Sequence, residues 1–292
     1  MSRDSATTMP ARGDQIRMAV GIFGIGTSGP LIAMSAMPIW ILIFWRNLGG
    51  SILTAPFAIR HHRDRNGIKW AAFAGFILAL HFGGFFLAMR YTSVASGTAI
   101  VALQPIFAAI FVKLSGQHIP SKAWLGMWVA FIGVLLISGI DLQISFRAFM
   151  GDLAALISAA LAAGYMMAGS RAQRTLETTT YTTVCYFVCA ITALPIALMS
   201  GNQLFNYSAR EWWILVGLIA GAQILGHTMF NSALKRVSPA IVSLIVFFEV
   251  PVSSLLAVWW MGQKPPVGII PGIALILTGC ALVVIRGRES ND

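Results

Sequence analysis

Charge is scarce in this sequence. Asp, Glu, Lys and Arg make up 10% of the 292 residues, and only ten residues are acidic. A soluble domain carries about 25% charged residues, so the shortage excludes an ordinary water-soluble globule. Cysteine is scarcer still: Cys185, Cys189 and Cys280 all lie inside apolar runs, which leaves no disulfide framework and no metal-ligand spacing. No Ser-His dyad motif, His-Glu-x-x-His pattern or Walker phosphate loop occurs, which argues against an intramembrane enzyme and against a bound cofactor. The net charge of +10 does not point to nucleic acid either. Lys and Arg punctuate hydrophobic runs and do not interleave with aromatics on a polar face.

Apolar length is abundant instead. Hydrophobic residues make up 57% of the chain, in runs close to the 20 or so residues needed to cross a bilayer. Ten spans are predicted, roughly Arg17–Ala36, Pro38–Ile59, Lys69–Met89, Thr92–Leu114, Lys122–Gly139, Gly151–Ser170, Thr179–Ser200, Glu211–Ala233, Val237–Met261 and Pro265–Ile285. Ala33–Ala36 has the composition of a signal-peptide end, but removing this run would spoil the internal symmetry described next. The expected organisation is a polar tail over 1–15, a five-helix unit over 16–140, a second over 150–286, and a short tail over 287–292. Connections are too short to hold a separate soluble domain.

A shift of 146 residues superposes the chain on itself. Gly75 then meets Gly221, His81 meets His227, Arg90 meets Arg236 and Pro105 meets Pro251. Gly116-Gln117 meets Gly262-Gln263, Gly126 meets Gly272, and Gly133 meets Gly279. Glycines alone are weak evidence in membrane helices; a histidine, a mid-helix proline and a Gly-Gln turn in one register are not. Five helices per unit is odd, so the second unit must enter the membrane inverted. The fold class expected is therefore all-α integral membrane, with ten transmembrane helices in two inverted five-helix repeats, a recurrent plan of secondary transporters.

Orientation follows from the positive charges. A cytoplasmic N-terminus puts Arg3, Arg12, Arg17, Arg60, Arg63, Arg65, Lys69, Lys113, Lys122, Arg171, Arg174, Lys235, Arg236, Arg286 and Arg288 inside, with only Arg90, Arg147, Arg210 and Lys264 outside. Both termini are then cytoplasmic.

Ionisable groups at membrane depth cost about 2.5–3.5 kcal/mol each and require a partner or a wet cavity. Arg46, His81, Gln104 and Glu249 fall near mid-span, and Gln223, His227 and Asn231 form an i, i+4, i+8 stripe in the eighth span. Two readings stand for Arg46 and Glu249: a buried ion pair locking two helices, or a bracket around a zwitterion, with Arg46 on a carboxylate and Glu249 on an ammonium. His81 and His227 are either interhelical hydrogen bonders or cavity lining and proton relays. Gln223 and Asn231 read first as helix–helix glue. Asp152, near a span end, reads as a solvated helix start. Trp45, Phe82, Phe85, Phe86 and Tyr165 are candidates for an apolar cavity wall. Pro105 and Pro251 directly follow the polar stretch and are expected to kink their helices, with a hinge as the sharper reading.

Ala95-Ser-Gly-Thr-Ala-Ile-Val-Ala-Leu-Gln-Pro105 and Ser238-Pro-Ala-Ile-Val-Ser-Leu-Ile-Val-Phe-Phe-Glu-Val-Pro251 resemble the fourth and ninth helices of EamA-type proteins of the drug/metabolite transporter superfamily. Trp-Trp-Met-Gly-Gln-Lys264 and Gly272…Gly279 fit the turn and last helix of that pattern. The resemblance covers essentially the whole chain and is closest to YddG-type exporters of aromatic and other amino acids. It implies a multi-pass protein of a bacterial inner membrane whose partners are the lipid bilayer and a small-molecule substrate, amino acids in particular. One departure is visible: the turn usually reads Gly-Glu, whereas both copies here carry Gln117 and Gln263. A passive channel or facilitator for small metabolites or drugs remains the nearest alternative, and a structural membrane protein the blandest.

Overall fold

The computed structural model describes residues 12–58, 64–114, 116, 121–233 and 246–286. All regular structure among them is helical, in ten passes. The first is Arg12–Gly26 continued by Ser28–Met34; the second is Ile39–Thr54 with a 3-10 turn, Ala55–Phe57. The third is Arg65–Tyr91, the fourth Val94–Val101 with Gln104–Leu114, and the fifth Ser121–Ile144. The sixth is Phe146–Ala172 and the seventh Thr178–Met199; the eighth is Ala209–Gly217, Leu218–Thr228 and Met229–Ala233. The ninth is described from Val246 and contains Glu249–Met261; the tenth is Ile269–Arg286. Seven segments have the length and apolarity to cross a bilayer, and the chain is a multi-pass membrane protein.

Several boundaries move, for local reasons. The tail expected over 1–15 is already helical from Arg12. The third span begins at Arg65 rather than Lys69 because Asp64 caps it, accepting from the Asn66 and Gly67 amides. The sixth begins at Phe146 rather than Gly151 because the Ser145 hydroxyl accepts from Ala148 N at 3.0 Å. Both caps lie outside the apolar runs, so hydropathy alone starts these helices too late. Arg3, Arg60, Arg63, Lys235, Arg236, Arg288, Gln117 and the start of the ninth span lie outside the described residues.

Helices meet through small residues, as lipid-embedded packing requires. The third span packs on the sixth, the fifth on the tenth, the second on the seventh and the first on the eighth. Glycines mark the closest approaches. A Cβ on Gly133 would stand 2.7 Å from Gly272 O, and one on Gly279 only 2.4 Å from Gly126 O. Gly126 and Gly272, like Gly133 and Gly279, are partners under the 146-residue shift. The two contacts are thus copies of each other, exchanged between the halves, and the fifth and tenth spans run antiparallel.

A second reciprocal pair joins the halves at the two ends of the bundle. Call the near face the one where the first span begins and the far face the one where it ends. At the far face Glu211, opening the eighth span, is 4% exposed. Its Oε2 accepts from Ser35 Oγ (2.6 Å), Ala36 N (2.9 Å) and Met37 N (3.2 Å) in the connection between the first and second spans. At the near face Asp64, opening the third span, accepts from Thr175 Oγ1 at 2.7 Å in the connection between the sixth and seventh. In each case an acid at the start of a half's third helix holds the first connection of the other half.

Candidate functional site

Two helices break at membrane depth. In the fourth span Ala102 and Leu103 form a turn and the helix restarts at Gln104-Pro105. In the ninth Phe247 and Phe248 form a turn and the helix restarts at Glu249. Pro105 and Pro251 sit in the first turn of the new segments, where a missing N–H costs nothing because that turn has no intrahelical acceptor. The restart also gives Glu249 a place to be charged: a carboxylate is favoured at a helix N-terminus.

The breaks flank a cavity of about 1030 Å³ of open space, its mouth included. Its walls come from the first, third and fourth spans and from the sixth, eighth and ninth, the same three helices of each half. Of the residues expected there, His81, Phe85, Gln104, Pro105, Tyr165, His227, Asn231 and Glu249 line it. Ser28, Thr98, Phe230 and Phe247 line it too and were not anticipated, because nothing in sequence gives the direction a residue faces. Among the described residues Glu249 is the only carboxylate in the lining, and no hydrogen bond or ion pair to it is present.

His81 lines the cavity and also bonds between helices. Its Nδ1 lies 2.8 Å from Ser158 Oγ, which donates to His81 O at 3.0 Å, tying the third span to the sixth. The opposite side of the ring is stacked against Phe85, centroids 6.0 Å apart. His227 meets the Phe82 ring edge-on at 6.0 Å. Gln104 directs its amide to the Met166 sulfur. Phe82 joins the wall, whereas Phe86 and Trp45 do not; Trp45 donates to Leu204 O at 2.8 Å and packs against Phe205 and Trp212.

Arg46 stands outside the lining, and Gln223 stands there with it as the interhelical bonder of its first reading. Arg46 is fully buried one ring behind the wall, its guanidinium 4.3 Å from the Phe82 centroid. Its Nε donates to Gln223 Oε1 at 2.8 Å, and Gln223 Nε2 donates to Asn47 Oδ1 at 3.2 Å. Nη1 and Nη2 have no partner among the described residues, and no ion pair joins Arg46 to Glu249. The bracket around a zwitterion is therefore not assembled in this conformation. Gln223 parts from His227 and Asn231 because the eighth span is a π-helix from Leu218 to Thr228. Its wider turns break the i, i+4, i+8 stripe, and such segments recur at functional sites. Pro251 is exposed on the outside of its helix. Asp152, read as a solvated helix start, is 2% exposed.

The chemistry available is binding rather than bond-making: one carboxylate, two imidazoles, amides and hydroxyls within aromatic walls. Among the described residues no cluster of three or more His, Cys, Asp or Glu side chains is placed to hold a metal, and the three cysteines are free and buried.

Known proteins resemble the chain along nearly its whole length. YyaM of Bacillus subtilis, an uncharacterized transporter, is 28% identical over 218 residues, 71% of this chain and 70% of that one. The pseudopaline exporter CntI of Pseudomonas aeruginosa is 24% identical over 255 residues, 85% and 87% of the two chains. A solved crystal structure shares the fold with a TM-score of 0.65 at 19% identity, covering 95% of this chain and 99% of its own. Residues 16–139 and 149–285 each match the EamA-like transporter family, once per half. The chain belongs to the EamA-like transporter family, as a membrane transporter and not an enzyme.

Proposed function

We propose that this protein exports amino acids, aromatic and other neutral ones, and related small metabolites across a bacterial inner membrane by alternating access between two inverted halves. The observation that carries this reading is the cavity: equivalent helices of both halves enclose it, two broken helices flank it, and among the described residues it is lined by one carboxylate and several aromatic rings. Glu249 suits a substrate ammonium, while Phe82, Phe85, Phe230 and Phe247 suit an apolar or aromatic body. Export as the direction draws on the similarity to the pseudopaline exporter. Proteoliposomes loaded with unlabelled phenylalanine should transiently accumulate labelled phenylalanine from outside, because a carrier exchanges one for the other. Equilibration without overshoot would mark a channel and overturn the reading.

The reciprocal acids at the two faces support alternating access. Each bonds across the halves at one side, Glu211 to the connection between the first and second spans and Asp64 to that between the sixth and seventh. Hydrogen bonds to a charged acceptor contribute about 1.5–3 kcal/mol each, enough to shift a two-state population at least tenfold. Glu211→Ala should therefore raise the labelling rate of a cysteine at Ser28 from the far face about tenfold and leave the near-face rate unchanged, and Asp64→Ala should do the reverse. An impermeant thiol reagent in a cysteine-free background measures both and tests whether the near face is cytoplasmic. Equal rates in both variants would reduce these acids to loop anchors. Pro105 and Pro251 are the proposed hinges of the same movement.

A further inference from the structure

A polar cluster outside the cavity is unused by this reading. Three span ends meet at the far face: Thr92 closes the third, Ser138 and Asp141 lie in the last turns of the fifth, and Asp152 lies in the second turn of the sixth. Asp141 and Asp152 are each 2% exposed. Thr92 Oγ1 donates to Asp141 Oδ2 at 3.0 Å. Asp152 is turned into the same cluster, with Ser138, Thr92 and Asp141 as its side-chain neighbours. Neither of its carboxylate oxygens makes a well-formed hydrogen bond to any of them. Gly151 lets these ends close up, since a Cβ there would stand 2.8 Å from Thr92 N.

Two carboxylates side by side, both withdrawn from water, cannot both stay ionised and uncompensated. The cations at this end are engaged elsewhere or point outward. Arg90 donates to Met37 O, Arg147 lies over the Tyr91 ring at 4.5 Å, and Lys264 is exposed before the tenth span. No ion pair to Asp141 or Asp152 is present among the described residues. The pair thus has oxygen acceptors to spare and no compensating positive charge among the described residues.

We infer that Asp141 and Asp152, with the Thr92 and Ser138 hydroxyls, form a binding site for a single monovalent cation, a proton or Na⁺, distinct from the substrate cavity. Two carboxylates and two hydroxyls suit one charge; a divalent ion such as Ca²⁺ takes six to eight oxygens. The site has a mechanical route to the cavity, because the third and sixth spans carry its ligands at one end and cavity residues His81 and Tyr165 at mid-depth. A bound cation holds the ends of the third, fifth and sixth spans together. Its loss leaves two like charges that drive the fifth from the sixth and loosen the far face. As the energy-coupling site of the transporter this rests on the proposed function; as a cation site it stands alone.

Binding to the purified protein in detergent tests it without transport. If the cation is a proton, infrared spectra across a pH titration should show a carboxylic-acid C=O band that disappears on alkalinisation and is missing from both Asp141→Asn and Asp152→Asn. If it is Na⁺, equilibrium dialysis with radioactive sodium should find one saturable site per chain, lost in the same variants. Thr92→Val, which removes the donor to Asp141 and keeps both acids, should move the midpoint of whichever titration is seen by about tenfold, so the test survives an Asn variant that fails to fold. A band unaltered by all three substitutions, together with no saturable sodium binding, overturns the site. Amino acid counterflow is scored separately, so failure of the substrate reading leaves this result interpretable.

Discussion

Glu249→Gln should reduce phenylalanine counterflow about a hundredfold while leaving the detergent melting temperature nearly unchanged. The carboxylate faces the open cavity and bonds to no described residue, so removing its charge breaks nothing that holds helices together. It does remove the only formal negative charge available to a substrate ammonium. An ionic hydrogen bond contributes about 1.5–3 kcal/mol, and about 2.7 kcal/mol corresponds to a hundredfold. Arg46 makes the informative comparison. It is buried behind Phe82 with two unpartnered nitrogens, so Arg46→Gln loses the Nε bond to Gln223 but relieves a poorly solvated charge. Its stability change should be small, and the double substitution should stay as inactive as Glu249→Gln alone. Recovery of transport in the double variant would mean that the two residues serve each other as an ion pair, and the assignment of Glu249 to substrate would fail.

A large loss of stability is expected at Gly279. A methyl group there would stand 2.4 Å from Gly126 O and 2.5 Å from Ala130 N, both backbone atoms that cannot rotate away. Gly279→Ala must therefore push the tenth span off the fifth. Overpacking typically costs about 1–3 kcal/mol, and a backbone clash belongs at or above the top of that range. Gly133→Ala should cost a comparable amount, because its added methyl would meet Gly272 O at 2.7 Å in the exchanged copy of the contact. Gly139 is the control: nothing lies within 4 Å of a Cβ built there, and Ala in place of Gly gains up to about 1 kcal/mol of helix propensity. Thermal melting followed by size-exclusion chromatography should rank Gly139→Ala at or above the unsubstituted protein and the other two well below it. Equal melting of all three would mean that the fifth and tenth spans are not packed as described.

Sequence by itself determined where the chain crosses the membrane and which residues stand at mid-depth. Depth is estimated from position along an apolar run of fixed length, so Gln104, Pro105 and Glu249 could be put near mid-span without coordinates; the two prolines were expected to kink their helices, and the breaks beside them came from the structure. The internal shift also paired Gly126 with Gly272 and Gly133 with Gly279 before their contacts were visible. What depth does not fix is the angle around each helix. That angle decides whether a polar group faces a cavity, a neighbouring helix or lipid, and only packing sets it. Arg46, expected near mid-span, is turned behind Phe82; Gln223 was put on the face of His227 until the π-helix separated them. Asp152 shows the same limit at a helix end. Polar residues there are ordinarily solvated, and only the approach of Thr92 and Asp141 from two other spans buries it. Membrane thickness is a constraint each helix meets alone, and so it is written in local composition. Facing is a constraint the helices meet together, and only the tertiary structure decided it.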